Sequence, residues 1–360
     1  MRNVLPKGIV LVLLLTGCPL TNFSQGMRVL GIPLDTLLKT STPRVDRAYI
    51  TTYYRRLHLY VVSDRQDYTL RVLGRQQSLV YKPNLAWTLG LGIDYKWIGT
   101  EITVKLPFLG YNIAQRGKTK PFGATVNLNN RRFWFSAQYQ FYRGFYLNNP
   151  DVLQSDWFDH HAAYPYRNDL RTQTVISHVL YQFNPLRVSV PATLLQREGQ
   201  RRNAGTWVIG GFATYQHVQG DSSWVPTALQ KDFSAESGFH RLNTLALGVE
   251  AGYTQTFVFK NHWFSSFTLR PGMSVLFQQS IGERQIVSTH WRAGWEGVAS
   301  VTVGYSTDIF YGGVYGSSTL INRAFSRELV STDVDYFRLV VGKRIRYQPK
   351  GIIKQIPGIK

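Results

Sequence analysis

The 360-residue chain carries 41 Lys+Arg against 21 Asp+Glu, a formal net charge of +20, with 14% aromatic residues, 31 glycines and a single cysteine. One cysteine excludes an internal disulfide, so stability has to come from backbone pairing and burial. The mixture is unusual for a soluble α/β enzyme and suits a protein that places amphipathic rings at two membrane interfaces.

The N-terminus reads as a secretion signal over residues 1–24. Arg2 and Lys7 precede an apolar run from Ile9 to Leu15, too short to span a bilayer as a helix but long enough for a signal-peptide core. Two cleavage readings compete. Leu15-Thr16-Gly17-Cys18 fits a lipobox, which would lipidate Cys18, whereas Ser24-Gln25 fits an ordinary signal-peptidase site. Removing residues 1–24 takes away Arg2 and Lys7 and no acid, which lowers the charge by two. Residues 25–54, with Pro33 and Pro43, lack periodicity and read as a periplasmic lead-in or plug-like cap.

No later segment is apolar enough for a membrane helix, so a membrane-resident chain must span with strands closed into a barrel. From Ala86 to Trp97 the residues alternate, with Trp87, Leu89, Leu91, Ile93, Tyr95 and Trp97 on one face and Thr88, Gly90, Gly92, Asp94 and Lys96 on the other. Ten steps at roughly 3.3 Å, tilted by about 40°, rise on the order of 25 Å, which predicts Trp87 and Trp97 in opposite aromatic girdles. Trp263 and Trp291 are predicted in the same belts. The pattern returns at Ile102, Val104 and Leu106, at Phe133 to Phe141, at Leu245 to Tyr253, at Phe267 to Phe277, and at Trp295 to Tyr305. A soluble sandwich would also alternate, but its outer face would be charged. Here the apolar face carries rings at its ends, and the other face is rich in Gly, Ser, Thr and isolated charges, the transmembrane arrangement.

The expected fold is therefore an all-β transmembrane antiparallel barrel over residues 55–347, of about 12–14 strands. Candidate strands lie near 55–63, 67–73 with 77–81, 85–97, 99–108, 121–129, 131–142, 169–183, 186–195, 204–217, 240–257, 261–277, 289–305, 308–320 and 333–347. With the tail after Tyr347 in the periplasm, the turns at Lys260-Asn261 and Ser306-Thr307 are periplasmic and 218–238 extracellular, but the long segment 143–168 then falls on the periplasmic side. Residues 348–360 read as a short basic tail.

Several runs resemble one family: Tyr81-Lys82-Pro83-Asn84, Leu89-Gly90-Leu91-Gly92 with Tyr95-Lys96-Trp97, Lys105-Leu106-Pro107, Gly117-Lys118-Thr119-Lys120, Tyr142-Arg143-Gly144-Phe145-Tyr146, Asp169-Leu170-Arg171-Thr172 and Gly220-Asp221-Ser222-Ser223. Over roughly residues 45–347 the chain is similar to the domain of unknown function 4421 family. The resemblance implies an exported outer-membrane barrel of Bacteroidetes-type bacteria, and it implies no catalytic residue.

A search for chemistry yields little. Gly117-Lys118-Thr119 resembles the end of a phosphate loop, but the glycine required five positions earlier is Asn112. Asp156, Asp159, His160 and His161 are the densest ligand-like cluster, without a second ligand group at recognisable spacing, so no metal or cofactor is expected. A membrane hydrolase acting on lipid or lipopolysaccharide is the alternative reading and would need Ser, His and an orienting group at one rim. His58, His178, His217, His240, His262 and His290, with Ser177, Ser265 and Ser288, offer the residue types but no selective spacing.

By phase, Asp94, Lys96, Glu101, Lys105, Arg171, Glu250, Arg270, Arg292, Glu296, Arg338, Arg344 and Arg346 are expected to point inward. Paired charges would plug the lumen, whereas a surplus of cations would line an anion passage. The expected protein is a non-enzymatic outer-membrane barrel, structural, adhesion-type or narrow-channel. Its expected partners are outer-membrane lipid, lipopolysaccharide phosphates at the basic rims and the barrel-assembly machinery, with no nucleic acid.

Overall fold

The computed structural model describes residues 28–29, 32–33, 44–74, 77–85, 87–105, 112–190, 197–233, 239–260, 262–282, 287–322 and 330–348. Cys18, the signal segment, the lead-in as far as residue 43 except two dipeptides, and the tail from residue 349 lie outside the described residues. The chain divides into two units, residues 1–42 with 348–360, and residues 43–347. Within the first, β1 (Arg28–Val29) and β2 (Ile32–Pro33) form an antiparallel pair.

The second unit is a closed antiparallel barrel. Its wall starts with β4 (Arg56–Leu73), β6 (Thr88–Tyr95), β7 (Ile98–Lys105), β8 (Lys120–Asn129), β9 (Phe133–Leu147) and β10 (Tyr166–Gln182). It continues through β12 (Ala204–Gln219), β13 (Phe239–Phe259), β14 (Trp263–Gly282), β15 (Val287–Ser306), β16 (Phe310–Asn322) and β17 (Val330–Arg346), and β17 pairs with β4 along its whole length. Twelve strands thus close the ring with no free edge, so every wall strand finds backbone partners on both sides. A short strand, β5 (Ser78–Lys82), bridges β4 and β9 beyond the end of β6. Outside the wall, β3 (Ile50–Thr52) pairs with β11 (Glu198–Gln200). No helix among the described residues is long and apolar enough to cross a membrane.

Alternation decides the two faces. On β13, Leu245, Leu247, Val249 and Tyr253 are exposed on the outside while Ala246, Glu250 and Thr254 are buried. On β14, Phe267, Leu269, Met273, Val275 and Phe277 point out, and Ser266, Arg270 and Gln278 point in. The wall is uneven in height. β13 has 21 residues and β6 only 8, which at the usual rise and tilt reach about 55 Å and about 20 Å, against an apolar band of about 25 Å.

Both chain ends of the barrel, at Arg56 and Arg346, lie at one rim, the terminal end. The turns 95–98, 129–133, 259–263 and 306–310 share it and are tight, and 182–204 is its one long connection. The opposite rim, the loop end, carries the longer connections 105–120, 147–166 and 219–239.

Two strand expectations are corrected. Residues 56–73 form one continuous strand rather than two, and 186–190 form turns instead of a strand, Val188 N donating to Asn184 O. Val188 and its neighbour Ser189 are both fully buried, an arrangement that excludes strand alternation. Losing one wall strand there reverses the parity of everything before it, and the segment 143–168 moves to the loop end with the other long connections.

Candidate functional site: the barrel interior

The interior is filled in layers. Nearest the loop end, Leu70 and Val72 of β4, Leu79 and Tyr81 of β5, Phe145 and Leu147 of β9, Leu170 of β10 and Leu242 of β13 converge on Trp224, Val225, Leu229 and Phe233 from the β12–β13 connection. Trp224 is fully buried and meets Phe239 edge-on at 4.7 Å. Burying each such side chain is worth about 1.5–3 kcal/mol, so the connection is held inside the mouth by the same force that builds a soluble core.

Hydrogen bonds fasten this cap. Tyr81 OH donates to Trp224 O at 2.5 Å. Asn84 Nδ2 donates to Gly117 O at 2.7 Å, Asn84 N to Thr119 Oγ1 at 2.8 Å, and Thr119 Oγ1 to Gly144 O at 2.6 Å. Gly144 has φ 93°, which a side chain would strain, and this conformation lets Tyr166 OH reach Lys118 O at 2.6 Å. Arg167 pairs with Asp169 at 2.7 Å and donates to Ser223 O, while Asp221 N donates to Asp169 Oδ2.

Below the cap lies an uncharged polar layer. Gln216 Nε2 donates to Tyr68 OH at 2.7 Å, and these residues sit on β12 and β4, which lie six places apart either way round the wall. Their contact spans the lumen. Tyr142 OH donates to Gln66 Oε1 from β9 to β4, and Tyr68 packs on Tyr142 with ring centroids 5.2 Å apart. A space of about 30 Å³ among Gln66, Gln138, Gln140 and Tyr142 has room for about one water.

Charges occupy the next layer. Arg338 of β17 donates Nε to Asp64 Oδ1 at 2.9 Å and Nη2 to Asp64 Oδ2 at 3.2 Å, and the same Nη2 reaches Glu101 of β7. A planar guanidinium suits two carboxylates in this way, its donors lying in a fixed fork. Glu250 of β13 accepts from His178 Nδ1 at 3.0 Å and pairs with Arg270 at 3.3 Å. Such pairs tie strands together across the inner surface and leave no isolated buried carboxylate among them.

The terminal end is plugged by the long connection 182–204. Its Arg197 turns inward to Asp94 at 2.9 Å and donates to Asn129 Oδ1. Gly99 makes room for this pair, since a Cβ there would stand 1.8 Å from the guanidinium. Glu198 accepts from Arg131 Nη1 at 2.6 Å and from Ser189 Oγ. Arg344 lies buried between the rings of Tyr53 and Tyr311, 3.9 and 4.5 Å from their centroids.

The predicted inward residues sort as follows. Asp94, Glu101, Glu250, Arg270, Arg338 and Arg344 are inside and paired or stacked as described, and Glu296 shares the inner face of β15. Lys96 is not: it occupies the β6–β7 turn at φ 52°, with its ammonium near the rings of Tyr54 and Tyr95. Burial, then the neighbouring Arg55, lowers its pKa. Arg171 shares the outward phase of Val179, and Arg346 is exposed at the strand end. Lys105 and Arg292 belong to β7 and β15, but their side chains lie outside the described residues. Among the predicted inward residues whose side chains are described, the cations inside (Arg270, Arg338 and Arg344) do not outnumber the carboxylates (Asp94, Glu101, Glu250 and Glu296).

The tryptophans divide too. Trp263 and Trp291 are exposed on the outer face, and Trp263 joins Tyr305 at 5.2 Å. Trp87 packs edge-on to Phe337. Trp97 is only 8% exposed, because the strand ends at Tyr95 and the turn carries the indole out of the alternating phase. Residues that sequence reasoning missed include Asp64, Arg197, Arg131 and Glu198, and His178, named only as a hydrolase candidate, is the partner of Glu250.

Hydrolytic geometry is not assembled among the described residues. His178 meets Glu250, His217 meets Asn243 and Gln219, and His160 meets Asp156, while Ser177 Oγ donates to Ala213 O. His290 and Ser288 have side chains outside the described residues. Asp156 is held below the usual carboxylate range by hydrogen bonds from Gln154, its own backbone and His160. No group of three or more His, Cys, Asp or Glu among the described residues could hold a metal ion.

The family model described as domain of unknown function (DUF4421) matches residues 44–334. The chain belongs to this family. Several of the runs that carry the resemblance, at 81–84, 117–120, 142–146, 169–172 and 220–223, meet in the cap at the loop end. Among proteins with curated descriptions, none matches the sequence. Solved structures similar to the DUF4421 chain include the translocator domain of the autotransporter NalP from Neisseria meningitidis, 11% identical over 81% of this chain and 88% of that one, TM-score 0.38. The β domain of the Bordetella autotransporter BrkA is 9% identical over 81% and 100%, TM-score 0.37. An outer membrane channel from Pseudomonas putida F1 is 8% identical over 81% and 96%, TM-score 0.31. The barrel assignment rests on the closed strand order of the chain itself.

Proposed function

We propose that this DUF4421 protein is an outer-membrane barrel with a sealed lumen, acting through its outer surfaces as a structural or adhesion-type protein and not as a solute channel. The observation that carries this reading is the hydrogen bond between Gln216 and Tyr68 from opposed strands, with the apolar cap on one side and the charged layer on the other. The outward band of aliphatic and aromatic side chains supports membrane residence. The uneven loop lengths support an orientation with the loop end outside the cell and the terminal end in the periplasm.

At the loop end, exposed Lys118 and Lys120 lie beside exposed Arg143, which pairs in register with Lys120, and they suit the phosphates of outer-leaflet lipopolysaccharide. The test is cell fractionation together with site-specific labelling. The chain is expected in the outer membrane with a band that shifts on heating, and a cysteine at Phe158 is expected to react with an impermeant maleimide in intact cells while one at Lys260 does not. Release into the soluble periplasmic fraction, or the reverse labelling pattern, would refute the reading.

A further inference from the structure

On the outside of the wall, β17, β4, β6 and β7 present a groove of about 570 Å³. Its walls are Leu59, Val61, Leu91, Ile93, Ile102 and Val341, all exposed, and its floor is backbone at Gly92 and Gly342. The volume falls within the roughly 300–1,000 Å³ typical of ligand pockets. On the inner side of the same stretch Tyr60 and Tyr311 pack against these glycines, where a Cβ would stand 2.0 and 2.2 Å from their rings, so the wall behind the groove is filled from inside.

At the terminal-end edge of the groove stands Lys343, in register with Phe310, its ammonium 5.4 Å from that ring's centroid. Lys343 is exposed, and no carboxylate meets it among the described residues. An apolar trough with one cation at its mouth, lying along the membrane-facing wall, matches an amphiphile with one chain in the trough and an anionic head at the lysine. With the terminal end in the periplasm, the lysine stands at the level of the periplasmic leaflet. We propose that this groove is a binding site for an anionic glycerophospholipid of that leaflet, one acyl chain lying across β17, β4, β6 and β7 and its phosphate held by Lys343. The proposal rests on the barrel and orientation argued above. A lipid phosphate beside the ammonium would gain strongly from the low local dielectric, which gives the site its charge preference.

The test is native mass spectrometry of the full chain extracted in mild detergent and exchanged into vesicles of phosphatidylglycerol or of phosphatidylethanolamine. The wild type is expected to retain one phospholipid and to prefer phosphatidylglycerol. Filling the trough with Leu91→Trp and Ile102→Trp should lower retention about tenfold. Lys343→Gln should lower phosphatidylglycerol retention about fivefold, the effect of one basic residue on an anionic lipid, with phosphatidylethanolamine little changed. Val301→Trp on β15, an exposed position that does not line the groove, should change neither. Each preparation is first tested for the heat-shifted barrel band, so loss of that band counts against the barrel reading and loss of lipid from an intact barrel against the groove. Absence of lipid on the wild type, equal retention by the filled groove and the Val301→Trp control, or a dimer broken by Leu91→Trp would overturn the proposal.

Discussion

Along β4 the inward residues change character within one strand. Toward the loop end they are Tyr68, Leu70 and Val72, packed on Trp224 and Phe145, whereas Gln66 and Asp64 face the middle and His58, Tyr60 and Val62 the terminal end. The outer face of the same strand is apolar at Leu59 and Val61 and turns polar toward the loop end, with Arg65 and Asp67 exposed. The membrane therefore dictates only one of the two faces. The other can be closed either by burial, which is non-directional and tolerant of small shifts, or by charge pairing, which demands geometry and fails sharply when one partner is removed.

The sharpest break is expected in the charged layer. Arg338→Ala would leave Asp64 and Glu101 facing each other without their shared cation, at a cost of about 3–5 kcal/mol, read as a lowered urea midpoint of the barrel in micelles. A loss below about 1 kcal/mol, the scale of an exposed pair, would show that water screens the triad and that this half is open. Trp224→Ala in the apolar half should cost about 3 kcal/mol through the cavity it leaves. Unlike the arginine change, it should be partly rescued by Trp224→Phe, because shape and area rather than donor geometry do the holding.

Smaller effects sharpen the contrast within the cap. Asn84→Ala removes the bond to Gly117 O and should cost about 1–2 kcal/mol, seen as faster proteolysis of the loop end. Lys82→Ala, whose partner Asp67 is largely exposed, should change the urea midpoint by less than about 1 kcal/mol.

The wall was legible in the sequence because lipid imposes period two on every strand. Leu245 to Tyr253 and Phe267 to Phe277 show it without ambiguity, and the outward positions are those expected. The interior was harder to read. Ser63-Asp64-Arg65-Gln66-Asp67 has the composition of a turn, yet it runs straight through β4, since a filled lumen needs polar groups where its layers meet. Val188 and Ser189 mimic a strand, while their burial on consecutive positions belongs to a plug. Arg197 was invisible for a different reason: it reaches Asp94 from a connection far away in sequence, and no local pattern records such a pairing. Trp97 shows how one tight turn shifts the phase of everything beyond it. Phase alone points Glu101, Glu250 and Arg338 inward, but their pairing with Asp64 and His178 depends on the closed wall.

Both layers closing one lumen in series is the central claim, and planar-bilayer conductance tests it most directly. The wild type is expected to give no steady conductance, and Arg338→Ala or Trp224→Ala alone is expected to give at most brief openings, because the other layer still blocks the path. The double variant should open more often than either single variant, with the Gln216–Tyr68 bond and the 182–204 connection at the terminal end still in the path. A stable, anion-selective pore from the wild-type protein would contradict the account.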